Sequence, residues 1–150
     1  MQVRINGRPA ISAGQEQIER ARVRFPEISA NGIYPFPGSE LQEIVPDQID
    51  TALEFLARLE PTKTGRIGSG TLKHDCENWG GVTGLSAYVS RGALTVAALA
   101  LGYTVQTYPP QWSRNPNVAI GVRKKDLRRI VGATAVMRQE RKIRACTATE

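Results

Sequence analysis

Histidine occurs once in this 150-residue chain and cysteine twice. One imidazole, at His74, and two thiols, at Cys76 and Cys146, are too few for a closed four-ligand zinc site. Two cysteines also build no disulfide framework, and a reduced, cytoplasmic protein is the expectation that follows. On a helix, positions 74 and 76 point about 200° apart. The triplet His74-Asp75-Cys76 therefore neither shares one ion nor forms a Cys–His nucleophile pair. No segment supplies the roughly 20 apolar residues of a membrane span, and residues 1–10 lack the apolar stretch of a signal peptide. The glycine-rich loop 62–70 lacks the Gly-Lys-Ser/Thr ending of a phosphate-binding P-loop, and no strand is expected ahead of it to make a dinucleotide fingerprint. No catalytic residue, metal or cofactor is expected, and the chain reads as a non-enzyme.

What the chain does contain is one strongly apolar helix. From Ala93 to Leu101 the only polar side chain is Thr95. A helix apolar on every side must be surrounded by protein, so residues 90–101 are predicted to be a buried central pillar. Ser90 is its N-cap and Gly102 its C-terminal stop. Ahead of it, helices are expected at 13–24, begun by a Ser12/Gln15 capping box and closed by Pro26, and at 47–60, begun by Asp47. A short helix, 72–79, begun by Thr71, sets Leu72, Cys76 and Trp79 on one face, with a flexible Gly80–Gly84 connection after it. Residues 2–5 read as a short strand before an Asn6-Gly7 turn. Two strands within 103–122 read as an antiparallel hairpin, and a basic helix runs from Lys124 to Val131. The fold class is α+β: one small, mostly helical domain over 1–137, followed by a basic tail, 138–150, of disorder-prone composition.

Charge is unevenly spread. The net charge is +6, yet residues 1–60 hold six Arg against nine acids, while residues 113–150 hold ten basic residues against three acids. A basic end behind an acidic beginning points to an anionic partner. A solvated helix face would look the same in the sequence.

Helices at 47–60, 71–79 and 88–101 followed by a hairpin resemble the topology of a winged-helix module. Its third helix would read bases, but here that helix offers only Ser90, Arg91 and Thr95, too little polar chemistry for base edges. Contacts with phosphates survive this objection. The candidate cations are Lys63, Arg66 and Lys73 around the glycine-rich loop, Arg114 at the hairpin tip, and Arg123, Lys124, Lys125, Arg128 and Arg129 in the basic helix. The rival surface is acidic: residues 27–60 hold seven acids and one Arg. With the aromatics Tyr34, Phe36 and Trp112 it would suit a protein-binding inhibitor or adaptor of a nucleic-acid-processing machine.

The stretches Leu72-Lys-His-x-x-Glu77, Tyr88-Val-Ser-x-Gly-Ala-Leu94, Ala97-Ala-Leu-x-Leu-Gly-Tyr103 and Pro116-Asn-Val-x-Ile-Gly121 resemble a group of small uncharacterised proteins of proteobacterial plasmids, phages and integrative elements. The resemblance covers about a third of the chain. It implies a mobile-element setting and carries no known activity or functional residue. The expected function is thus a non-enzymatic accessory protein that binds nucleic acid, DNA before RNA, mainly through phosphates, with no membrane partner.

Overall fold

The computed structural model describes residues 4–5, 8–9, 13–35, 42–109 and 114–148. The elements, in chain order, are β1 (Arg4–Ile5), β2 (Arg8–Pro9), α1 (Ala13–Arg24), α2 (Pro46–Leu56), β3 (Ile67–Gly68), α3 (Ser69–Thr83), α4 (Arg91–Ala100), β4 (Val105–Thr107), β5 (Val118–Ile120) and α5 (Lys124–Ala148). This is the α+β domain that the sequence implied.

Helix α4 is the pillar. Its side chains from Ala93 to Ala98 are buried, and α1, α2 and α3 all pack on it. Thr95, its one interior hydroxyl, donates to the Arg91 carbonyl at 2.9 Å, so that hydroxyl is satisfied within the helix itself. Ser90 caps the helix as expected, its Oγ accepting from the Ala93 N–H at 3.1 Å. Gly102, at φ 75°, provides the left-handed turn after it.

The hairpin is present, joined by a third strand. Strand β5 lies between β3 and β4, with Ile67 opposite Ile120 and Val105 also opposite Ile120, all antiparallel. The order α2, β3, α3, α4, β4, β5 is compatible with a winged-helix-like arrangement. Residues 67–68 were expected to be loop; a two-residue strand leaves no alternation to read. At the other end of the chain, β1 pairs antiparallel with β2, Arg4 opposite Pro9 and Ile5 opposite Arg8; the expected turn at Asn6-Gly7 lies outside the described residues. Ser12 lies outside the described residues.

Three helices have other bounds than expected, α2 also ending early, at Leu56. Helix α2 starts with Pro46 in its first turn and Val45 as N-cap, with Asp47 just inside; proline's fixed φ suits that position. Helix α3 starts at Ser69, not after Thr71, and runs through Gly80 and Gly81 to Thr83. The following segment lies so close to Gly80 that a Cβ there would stand 2.2 Å from the Ser86 carbonyl oxygen, so this glycine admits a close approach and does not break the helix. Gly84, at φ 80°, ends the helix. Finally, residues 138–148 are no disordered tail. They continue α5, which runs unbroken for 25 residues. Leu127, Ile130 and Thr134 anchor its first half in the body.

Candidate nucleic-acid interface

Two segments distant in sequence are sewn together where α5 begins. The Thr62 N–H donates to the Gly121 carbonyl at 2.9 Å, the Arg66 N–H to that of Ile120 at 3.0 Å, and the Arg123 N–H to that of Glu60 at 2.8 Å. The Gly65 N–H donates to Gln106 Oε1 at 2.7 Å. A side chain at 65 would collide with Ala119, its Cβ landing 2.8 Å from the Ala119 oxygen. These bonds strap the loop 62–66 across the end of the sheet, beside the first turn of α5. Arg66, Arg123, Lys124 and Lys125 thereby line one shallow cleft of about 240 Å³, floored by Thr62 and Val122.

Asp126 organises this end. Its carboxylate is buried, with Oδ2 accepting from the Glu60 N–H at 2.8 Å and Oδ1 from Arg123 at 2.7 Å. Arg129 lies 3.8 Å from the same Oδ1. The Arg123 guanidinium, with the Glu60 N–H, holds the Asp126 carboxyl below the usual carboxylate range, while the pairing raises Arg123. Arg123 is thus partly neutralised within the protein. Lys63, Arg66, Lys124, Lys125 and Arg128 are exposed and, among the described residues, pair with no acid.

The remaining two candidate cations stand elsewhere. Lys73 pairs with Glu77 at 2.7 Å and lies 5.6 Å from the Tyr88 ring centroid, while Glu77 also accepts the Val89 N–H at 3.2 Å. This ties α3 to the start of α4. Arg114 pairs with Glu27 at 2.6 Å and stacks over Tyr34 at 4.8 Å. It fastens the return of the hairpin to the segment after α1, away from the cleft. Residues 110–113, with Trp112, and residue 36 lie outside the described residues.

A second basic group was not singled out in the sequence. Along the far half of α5, Arg138, Arg141 and Lys142 border a groove of about 480 Å³ against Glu77, Asn78 and Gly81 of α3. Arg141 donates to the Gly81 carbonyl at 2.8 Å, near the C-terminal end of α3, where the helix dipole favours a cation. The clue lay in the spacing 127, 130, 134, 138, 141, 145, a single helical face. It passes through small residues that carry little hydropathy signal.

The other chemistry is quiet. Cys76 is fully buried and its thiol is pushed up to about 12, mainly by burial and next by Glu77; it stays protonated at neutral pH. Burial raises Asp75 while neighbouring His74 opposes the shift. Among the described residues no three His, Cys, Asp or Glu side chains gather as a metal site, and no helix is long and apolar enough to cross a membrane. Compared with known proteins, the chain has no significant match to a family model, a curated protein or a solved structure.

Proposed function

We propose that the protein is a non-enzymatic accessory protein of a mobile element, acting in the cytoplasm, that binds DNA through its phosphates. The observation that carries this reading is the meeting of loop 62–66 with residues 123–125 at one cleft, where unpaired cations from both segments face solvent. The burial of α4 adds to it. Gly92 is pressed on by the Ser29 carbonyl and residues 93–98 lie inside, so the helix that would read base edges in a winged-helix module has no face to offer. Binding through phosphates alone is strong in low salt and indifferent to sequence.

Fluorescence anisotropy with labelled duplexes of unrelated sequence tests this. Affinities equal within a few-fold are expected, falling steeply with salt. About four phosphate contacts would give a log–log slope near −3.6. The variant Arg66→Gln/Lys124→Gln/Lys125→Gln should lose about ten-fold at low salt and flatten the slope by two to three. Unchanged affinity in that variant would remove these residues from the interface.

The second reading rests on Glu43, Asp47, Asp50 and Glu54, which are exposed along α2 and its approach and form no ion pair among the described residues. An acidic face of this kind suits an inhibitor or adaptor that occupies a nucleic-acid-binding protein. A pull-down that survives nuclease treatment, and is lost on charge reversal at Asp47 and Asp50, would favour it.

A further inference from the structure

We infer that α5 carries a second phosphate-binding group, Arg138, Arg141 and Lys142, and that this group and the first together grip the two strands of a DNA duplex on either side of one groove. The inference rests on the reading of the first group given above and adds to it a partner, the duplex.

The argument begins with register. Lys124, Arg128, Val131, Ala135, Arg138 and Lys142 are separated by alternating steps of four and three residues. At 3.6 residues per turn they lie along one side of the helix. All are exposed. Two cation pairs, each one turn apart, are therefore set on a common stripe with small apolar residues between them. From Lys124 to Arg138, as from Arg128 to Lys142, the distance along the axis is about 21 Å. The phosphate walls of a B-form major groove stand roughly 12 Å apart before the phosphate groups themselves are counted. Flexible Lys and Arg side chains cover the difference.

The middle of the stripe suits a close approach. Val131 and Ala135 are short and border a cleft against Asp75 and Asn78 of α3, and Gly132 beside them has nothing within 4 Å of where a Cβ would be. Charge on α5 itself points the same way, with Asp75 and Glu77 of α3 lining the clefts beside Arg138 and Glu77 already paired with Lys73. Over residues 124–148, α5 holds eight Lys or Arg and two acids. One of these, Asp126, is buried under Arg123. The other, Glu140, is placed about 200° around the helix from both Arg138 and Lys142. A duplex offers two rigid phosphate rails near this separation; a single strand laid along α5 and meeting both groups in succession is the alternative that the comparison with single-stranded DNA separates.

The test compares a roughly 15-bp duplex with the single strand of the same sequence, by anisotropy over a salt series. The proteins are the wild type, Arg138→Gln/Arg141→Gln/Lys142→Gln and the charge-keeping Arg138→Lys/Arg141→Lys/Lys142→Arg. Circular dichroism melts accompany each, because Arg141 also holds the Gly81 carbonyl. The Gln variant should lose about ten-fold on the duplex and two to three in salt slope, with affinity for the single strand within about two-fold of wild type. The charge-keeping variant should retain the wild-type slope on the duplex. Equal losses on duplex and single strand overturn the two-strand arrangement, as does loss of the slope in the charge-keeping variant. Wild-type binding that the Gln variant leaves untouched overturns the second group alone. Wild type that binds neither nucleic acid overturns this inference together with the function proposed above.

Discussion

Asp126 is the residue on which the basic cleft hangs. It sits in the first turn of α5 and joins that turn to the segment after α2 through the Glu60 N–H and to Arg123 through a 2.7 Å contact. Its carboxyl is held below its ordinary range by these donors, Arg123 first. A group whose pKa is lower in the folded state than in the unfolded chain adds stability above the unfolded value, near 3.9, and loses it as pH falls through the folded value. Asp126→Asn should therefore melt at a lower temperature than wild type at pH 7, and the gap should close as both proteins are taken below about pH 4. Melting curves over a pH series check this, and a gap that persists unchanged at low pH would mean that the ionised carboxylate is not what stabilises the junction. The Cys76 thiol, by contrast, is part of the packing beside Leu72 and Trp79, and its chemistry is closed off by burial.

At the scale of elements, the covering of α4 supports the proposal of contact through phosphates and not base edges. The segment after α1 lies directly on the helix: the Gly92 N–H donates to the Ala30 carbonyl at 3.2 Å, and a Cβ at 92 would fall 1.9 Å from the Ser29 carbonyl oxygen. Gly92→Ala should force that backbone off α4 and cost about 1–3 kcal/mol, seen as a lower urea midpoint with the helix content kept. A midpoint equal to wild type would show that the segment is not pressed on the helix. The elements most legible in the sequence were those with a strong local signal. The helix 13–24 is bounded by Pro26, α4 by Ser90 and Gly102, and the hairpin by alternating Val118, Ile120 and Val122. Others depend on contacts far away in the chain. Strand β3 exists because Ile67 finds Ile120, and position 80 is glycine because Ser86 leaves no room for a side chain, a packing role that reads in sequence as a helix breaker. Helix α5 passes Gly132 and then exposes every described side chain beyond Thr134, so neither a breaker nor an apolar stripe marked its true end. For the same reason Arg138, Arg141 and Lys142 were read as a tail. Lys73 and Arg114 look like free cations in sequence but are already paired, with Glu77 and Glu27.

Across the whole molecule, charge is sorted by surface. Helix α2 carries exposed acids, the strapped loop 62–66 and the length of α5 carry cations, and α1 exposes Arg20, Arg22 and Arg24. The pillar of buried apolar residues fixes α2 and α5, since α2 packs on α4, and α3, also packed on α4, carries α5. In the proposed function, an anionic polymer is drawn to the loop 62–66 and α5 and repelled by the acids of α2. An NMR titration of the isotope-labelled protein with a short DNA duplex at low salt tests this most directly. The account predicts amide shifts concentrated in residues 62–66 and 123–142, fading as salt is raised, with Asp47, Asp50 and Glu54 unmoved. Shifts centred on α2 or around Tyr34, or no shift along α5, would contradict it.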